Sequence, residues 1–375
     1  MCVSRAVSAS DSATDDADAR EKNIVKYSVI DISSSGLSMI VAEDRGAGAE
    51  IVYRDRTGLS LLYYFEGKRL SARGIDKLVD AISTAKDKCD NLGVDMCWLI
   101  STAALRNISN GDEIAQAVYG RVGMPVNFLD GVSEAYFDYL ANERYADRGR
   151  SLLVDLGGKS MEICDLSEDG EQGILCLDFG LLDLQSKFVA RIQPSEEEAD
   201  DIKKYVKKRF DKADLPTDGV YDTVVLVGAT NNALYDIYAD VSDADEEEGE
   251  RVIERKRFGK LVKRLLCGSD RSRLILSHAP ERMGMIVPAA ITLKVLFKRL
   301  GVDRAIVSDT GVKEGYLDAV LRGSETGLYY DFSKGGSDGS ARTPRPQVKR
   351  AGAGDKTRGK KGKSEGKEND TEVTR

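Results

Sequence analysis

Two segments of this chain carry the same pattern of residues. They are SVIDISSSGLSMIVAE (28 to 43) and LLVDLGGKSMEICDL (152 to 166), and each has an apolar run, an aspartate, a turn of small residues and a second apolar run. The pattern predicts two strands joined by a tight turn, with the aspartate near the end of the first strand. A chain that repeats this unit is expected to form two similar domains, and two facing domains would bring both turns to one cleft.

The elements that follow each copy of the repeat predict the class of fold. Three successive strands are predicted in each half, at 26–33, 37–44 and 50–64 and at 151–158, 159–167 and 173–184. Helices are predicted at 72–92, 111–121, 133–145 and 195–212, with strands at 96–102, 125–130 and 223–229. Alternating helices and strands are typical of a largely parallel sheet, so we predict an α/β fold with two mixed-sheet domains, 24–145 and 146–330.

The two ends of the chain differ from the rest in composition. Residues 1–23 are polar and acidic, and residues 331–375 are rich in Gly, Lys, Pro and Ser. Such segments bury too little apolar surface to offset the entropy of ordering, so both are predicted to be disordered. Residues 334–375 contain 12 Lys/Arg and 6 Asp/Glu, which leaves the rest of the chain near −14 because the formal total is −8.

Composition also excludes several classes of protein. The chain has one histidine, His278, and its six cysteines form no Cys-x-x-Cys pair, so we expect neither a zinc site nor a disulfide scaffold. It has no apolar run long enough for a membrane span and no apolar centre of a signal peptide near its start, so we expect no membrane partner and a cytoplasmic location. Any catalysis is therefore expected to use carboxylates.

The small-residue turn after each aspartate suits phosphate binding. Small residues let several backbone N–H groups point outward, and such a concave cluster binds phosphate oxygens. The aspartate faces the same space, where it would repel a phosphate unless a divalent cation lay between them. Asp155 with the turn after it is thus a candidate for holding a metal-bound phosphate. One such turn is most often only a hairpin, so the prediction depends on the duplication.

Five segments together resemble the exopolyphosphatase/guanosine pentaphosphate phosphohydrolase (Ppx/GppA) family of the actin, hexokinase and Hsp70 superfamily. They are DISSSG (31 to 36), STAALRN (101 to 107), DGVSEAYF (130 to 137), DLGGKSME (155 to 162) and SDTGVKEGYL (308 to 317), in the family's order. The resemblance covers roughly residues 26–320 and implies two actin-like (ribonuclease H-like) domains facing a central cleft. It also implies Mg²⁺ or another divalent cation, and polyphosphate or guanosine penta/tetraphosphate as the ligand. We expect no specific nucleic-acid partner, and a homodimer is compatible with the resemblance.

The resemblance implies roles for individual residues. Glu134 matches the base for the attacking water, and Asp31, Asp155 and Glu162 match the acids around the cation. Arg106 matches a catalytic residue of the phosphate cleft. The implied phosphate-binding residues are Ser33, Ser34, Ser35, Gly36, Thr102, Gly157, Gly158, Lys159 and Ser160. Considered alone, Glu134 also suits the start of a helix and Arg106 a surface ion pair.

Both turns depart from the family pattern, which leaves two functions open. Ser33, Ser35 and Gly36 replace Gly, Asn and Ser, and Lys159 replaces a glycine. One function is a Mg²⁺-dependent phosphohydrolase that releases terminal phosphate from polyphosphate or guanosine pentaphosphate. The other is a catalytically weakened member that binds polyphosphate or (p)ppGpp as a regulatory module. The enzyme is favoured because the carboxylates are present and the changes fall on backbone donors. The LVGATNN segment (226 to 232) disfavours an ATP-using kinase.

The basic tail predicts a measurable effect on long substrates. A flexible cationic segment tethered to an acidic body would raise the local concentration of a polyanion. Deleting residues 334–375 should therefore raise KM for long polyphosphate several-fold at low salt, while a short nucleotide substrate is much less affected. The difference should shrink as salt is added. Equal KM values for the two proteins at low salt would identify the tail as an accessory segment.

Overall fold

The computed structural model describes residues 24–338, except residues 34–35, 47, 60, 107, 169–172 and 243–248. The described chain forms two mixed sheets with helices packed on them, as the sequence predicted. None of its helices combines the length and the apolar composition needed to cross a membrane.

The first sheet begins with three antiparallel strands, β1 (Val25–Ser33), β2 (Gly36–Asp44) and β3 (Ala49–Gly58). Next to β1 lies the parallel strand β6 (Met96–Ser101), which pairs in turn with β7 (Val126–Phe128). A separate hairpin consists of β4 (Phe65–Glu66) and β5 (Arg69–Leu70). The helices of this half are α1 (Ala72–Asn91), α2 (Gly111–Val122) and α3 (Gly131–Asn142).

Alternation along β1 explains why helices cover both faces of this sheet. Ile30 and Ile32 belong to the apolar cluster formed with α1 and α2, whereas Val29 belongs to the cluster formed with α3. Successive side chains of a strand point to opposite faces, so one apolar strand supplies both cores. The helix predicted at 72–92 is present as α1, and its periodic apolar stripe, which includes Leu78 and Ile82, is buried.

The second sheet repeats this arrangement. The strands β8 (Ser151–Leu156), β9 (Met161–Asp165) and β10 (Ile174–Leu177) are antiparallel, and β11 (Thr223–Val227) lies parallel to β8. Strand β13 (Arg304–Val307) is parallel to β11, and β12 (Val252–Glu254) forms the antiparallel edge. The helices are α4 (Leu181–Phe188), α5 (Glu196–Lys212), α6 (Ala229–Ser242), α7 (Arg255–Cys267), α8 (Arg271–His278) and α9 (Ile286–Leu300). The internal duplication predicted from the sequence is thus present in the topology.

The helix predicted at 195–212 and the strand predicted at 173–184 had different outcomes. The helix is present as α5 and begins with a capping box, in which Ser195 accepts a hydrogen bond from the Glu198 amide and the Glu198 carboxylate accepts one from the Ser195 amide. The single strand predicted at 173–184 is wrong, because β10 ends at Leu177 and α4 begins at Leu181. Gly180 lies between them, and its lack of a side chain lets the turn at Lys159 approach closely, since a Cβ there would lie 2.3 Å from the Lys159 nitrogen.

The last described segment returns to the first sheet. After α10 (Val312–Leu321), strand β14 (Tyr329–Asp331) pairs with β6 and with β15 (Gly336–Asp338). The prediction of a disordered tail from residue 331 is therefore wrong for residues 331–338. Aromatic packing explains the order, since Tyr330 is buried and its ring lies 5.0 Å from that of Phe332. A truncation that spares the sheet begins at residue 339, and the residues from there on lie outside the described range.

Close packing of α3 against α10 generates a stability prediction. A Cβ on Gly315 would lie 1.7 Å from the carbonyl oxygen of Phe137. Gly315→Ala should therefore lower the free energy of unfolding by about 1–3 kcal/mol, measured by denaturant titration. Gly120→Ala in α2 is the matched control, since Gly120 is exposed with no atom within 4 Å of its Cβ position. The control should be stabilised by about 0.5–1 kcal/mol, and an equal effect of both changes would contradict this packing.

Candidate active site

A cavity of about 550 Å³ lies where elements of both sheets meet. The first half contributes Asp31 at the end of β1, together with residues of β3 and α3. The second half contributes the turn between β8 and β9, the start of α6 and residues 309–314 before and within α10. Both halves of the sequence repeat therefore reach the same space, as the duplication predicted.

Three carboxylates form a compact group at this cavity. Glu134 and Asp155 line its wall and Glu162 does not, and Glu134 and Glu162 are buried whereas Asp155 is half-buried. Asp155 and Glu162 are opposite each other in the β8–β9 pair, and Glu134 lies in the first turn of α3. One oxygen from each of the three lies within 4.8 Å of the other two. The helix start is fixed by Asp130, whose side chain accepts a hydrogen bond of 2.8 Å from the Ser133 amide. The fold thus brings together three acids that are distant in the sequence.

Asp31 lies on the same cavity wall but outside this compact group. The predicted metal set is Asp31, Asp155 and Glu162, whereas the structure groups Asp155 and Glu162 with Glu134. The two copies of the repeat differ at this point. Glu162 lies opposite Asp155 in the second copy, whereas Ser38 lies opposite Asp31 in the first, so the first copy has no second acid. Burial raises the pKa of Asp31, and the charge of Lys313 opposes that shift.

Burial and mutual repulsion make this group of acids hard to ionise together. Burial raises the pKa of Asp155 to about 8, with Glu162 and Asp31 adding to the shift. Burial and then Glu162 raise the pKa of Glu134 well above its ordinary value, although Arg106 opposes them. Burial likewise raises the pKa of Glu162. A cation placed among these groups would stabilise their charged forms.

Arg106 contacts two of the three acids. Its Nη2 donates to Oε2 of Glu134, and its Nη1 lies 3.6 Å from Oε1 of Glu162. Gly131 makes room for the guanidinium, since a Cβ there would lie 2.9 Å from Nη1. Arg106 is not among the residues that line the cavity, although Thr102 of the same segment is. Its contacts therefore hold the two glutamates in place.

The second turn presents its backbone in the way that phosphate binding requires. The carbonyl oxygens of Gly157 and Gly158 accept hydrogen bonds of 3.0 and 2.9 Å from the amides of Leu181 and Leu182 at the start of α4. In a trans peptide the N–H points opposite to the C=O, so the amides of Gly158 and Lys159 point away from α4. Within the described part of the chain these two amides have no acceptor.

The side chains of the second turn divide between cavity and surface. The Ser160 hydroxyl is buried, lacks a partner among the described residues and belongs to a residue of the cavity wall. The Lys159 ammonium instead lies 2.8 Å from Oδ1 of Asp183, and Lys159 is not part of that wall. The lysine that replaces the family's glycine therefore does not obstruct the cavity.

The first turn is described only in part. Ser33 lines the cavity, and its hydroxyl donates to the Gly36 carbonyl oxygen at 3.0 Å. Gly36 begins β2 outside the cavity wall, where a Cβ would lie 2.1 Å from the Thr57 carbonyl oxygen. Ser34 and Ser35, both predicted to bind phosphate, lie outside the described residues.

Basic residues that the sequence analysis did not assign also line the cavity. They are Arg54, Arg56, Arg282 and Lys313. Arg282 is 4% exposed, and its Nη2 has no partner among the described residues. Burial lowers the pKa of Arg282 to about 10, and the neighbouring positive charge of Arg56 adds to the shift. Arg54 and Arg56 are two residues apart in β3, so their side chains lie on the same face of the sheet. The sequence shows this alternation but does not show that this face points to the cavity.

The raised pKa values generate a prediction about pH and metal. In the unfolded chain Asp155 has its ordinary pKa of 3.8, whereas in the folded protein the pKa is about 8. Between these values the folded state binds the extra proton, so stability should fall as the pH rises through that window. The melting temperature in a chelator should therefore decrease towards about pH 8, and Mg²⁺ should raise it more at about pH 8 than at about pH 6. A Mg²⁺ effect that is largest in acid would contradict this.

Lys159 provides a second test at this site. Because its ammonium pairs with the exposed Asp183, we expect Lys159→Ala to leave both KM and kcat for phosphate release within about twofold of the unchanged protein. Steady-state kinetics would check this. A large increase in KM would instead show that the Lys159 side chain contacts phosphate, as the resemblance implied.

Comparisons with known proteins identify the family of this chain. The sequence model of the Ppx/GppA phosphatase family matches residues 39–323. Exopolyphosphatase 1 of Mycobacterium leprae is 21% identical over 301 residues, which cover 78% of this chain and 88% of that protein. The guanosine-5'-triphosphate,3'-diphosphate pyrophosphatase of Vibrio parahaemolyticus is also 21% identical, over 78% of this chain but only 58% of its own length.

Solved structures show the same fold. The Ppx/GppA family member of Aquifex aeolicus has a TM-score of 0.66 at 24% identity, covering 81% of this chain and 100% of its own. An exopolyphosphatase from Cytophaga hutchinsonii has a TM-score of 0.69 at 18% identity, covering 80% and 98%. The family match extends over more than half of the sequence and includes Glu134, Asp155 and Glu162, although it begins after Asp31. This chain therefore belongs to the Ppx/GppA phosphatase family.

Proposed function

We propose that this protein hydrolyses the terminal phosphoanhydride bond of inorganic polyphosphate or guanosine pentaphosphate, in the cytoplasm and with Mg²⁺. The observation that supports this most directly is the composition of one cavity, where Glu134 and Asp155 of the compact acidic group lie together with several basic side chains. Acids alone would repel a phosphate chain, and bases alone would bind it without activating water. Phosphoryl transfer needs both, together with a metal that spreads the developing charge.

The acids fit a divalent cation with oxygen ligands. Both carboxylate oxygens of Glu162 and Oδ1 of Asp31 are buried without a hydrogen-bond partner among the described residues. Mg²⁺ favours one or two carboxylates together with waters and phosphate oxygens. Asp155 and Glu162 would hold the ion, with Asp31 and Glu134 at its margins. When bound, such an ion neutralises phosphate oxygens and polarises the phosphorus–oxygen bond.

We infer that Glu134 deprotonates the attacking water. Arg106 holds its Oε2, which leaves Oε1 to accept a proton from a water in the cavity. The water oxygen then bonds to the terminal phosphorus as the bridging phosphorus–oxygen bond breaks, and the shortened chain leaves on that bridging oxygen. The burial that raises the pKa of Glu134 also makes it a stronger base towards water.

The remaining phosphates have candidate partners along the cavity. The outward-facing amides of Gly158 and Lys159, with the Ser160 hydroxyl, would bind oxygens of the terminal phosphate. Arg56, Arg282 and Lys313 would bind phosphates further along the substrate. The weakened regulatory module has less support, because the side chain of Lys159 points to Asp183 and leaves the turn accessible.

Glu134→Gln tests this proposal. Phosphate release should fall by about 10²–10⁴-fold while binding of polyphosphate is nearly unchanged, since the amide keeps the shape but cannot take the proton. Glu143→Gln is the matched control, because Glu143 follows the same helix and pairs with Arg322 away from the cavity. Release from polyphosphate, guanosine pentaphosphate and ATP should be compared in parallel.

Two outcomes would count against the proposal. Unchanged turnover in Glu134→Gln would remove Glu134 from the mechanism. Binding of either substrate without phosphate release by the unchanged protein would favour the regulatory module.

A further inference from the structure

Asp138 is a buried acid in this cavity that the mechanism above does not use. It lies one turn after Glu134 on α3, so the two side chains are on the same face of the helix. It is 1% exposed, and neither of its carboxylate oxygens has a hydrogen-bond partner among the described residues. Burying a carboxylate without a partner is energetically costly, so some ligand is expected to complete its surroundings.

The surroundings of Asp138 require a cation or a hydrogen-bond donor. The charged groups that act on it most strongly are all acids: Asp155, Glu134, Glu162 and Glu314. Arg106 and Arg54 are already paired, with Glu134 and Glu314 respectively. Gly311 closes one side, since a Cβ there would lie 3.2 Å from Oδ1 of Asp138. The open side is the cavity, to whose wall Asp138 belongs.

The spacing argues against direct coordination of an ion by Asp138. Among the described residues, the only set of three potential ligands within 4.8 Å of one another is Glu134, Asp155 and Glu162. Mg²⁺ usually keeps several of its waters, and carboxylates beyond the direct ligands accept hydrogen bonds from those waters. A fourth acid just outside the compact group is suitably placed for this role.

We propose that Asp138 is a positioning residue that accepts hydrogen bonds from waters bound to the divalent cation, and thereby strengthens and orients cation binding. The inference rests on the proposed function, because it requires an ion at the Asp155–Glu162 pair. It adds a residue of this chain to which neither the repeat nor the five motifs assigned a role.

Asp138→Asn tests the role with the metal alone. Mn²⁺ binding to the full-length protein, measured by electron paramagnetic resonance of the free ion, should weaken by about 10–100-fold. The amide keeps the size of the side chain and removes a buried charge, so the melting temperature in a chelator should be equal or higher. Asp236→Asn is the matched control, since Asp236 also lines the cavity but is 53% exposed and pairs with Arg251 at 2.8 Å. Its Mn²⁺ affinity should be unchanged.

The outcomes separate this inference from the proposed function. Unchanged Mn²⁺ affinity in Asp138→Asn, with normal binding by the unchanged protein, would overturn the role of Asp138 and leave the hydrolase proposal intact. Absence of Mn²⁺ binding by the unchanged protein would overturn both. If Asp138→Asn unfolds, Asp138→Glu keeps the charge but shifts the carboxylate, so it should bind Mn²⁺ more weakly than the unchanged protein, and unchanged affinity in that folded variant would identify Asp138 as a packing residue only.

Discussion

Repulsion among buried carboxylates is the physical constraint on which this site depends. Asp31, Glu134, Asp155 and Glu162 would each be more easily ionised in water, and the fold nevertheless brings them together, with Asp31, Glu134 and Glu162 buried and Asp155 half-buried. Arg106 offsets part of the repulsion through its contacts with two glutamates. A cation from solution would offset the remainder, as the proposed metal-assisted hydrolysis needs.

The duplicated sheet makes this arrangement possible. In each half the first strand of the sheet carries an aspartate near its end, and the adjacent antiparallel strand supplies the residue opposite. The two copies differ in that residue. Glu162 lies opposite Asp155 and completes a pair of acids, whereas Ser38 lies opposite Asp31. In the proposed function the second copy would therefore hold the metal, and the first contributes a single acid and the basic residues of β3.

Much of this architecture could be predicted from the sequence because it depends on local patterns. The repeat, the apolar stripe of α1 and the capping box at Ser195 each follow from residues that are close in the chain. Long-range contacts could not be predicted in the same way. The return of β14 to β6 depends on a few aromatic residues in a segment dominated by polar ones. The pairing of Lys159 with Asp183 depends on where α4 begins, and the acids around Asp138 come from four separate elements.

The central claim is that a divalent cation binds at the compact group of acids. Diffraction from crystals soaked in Mn²⁺, collected where Mn²⁺ scatters anomalously, would locate the ion directly. The account predicts one strong anomalous peak at coordination distance, about 2.0–2.3 Å, from carboxylate oxygens of Asp155 and Glu162. A strong peak elsewhere in the cavity, or none in a cavity shown to be open to solvent, would contradict it.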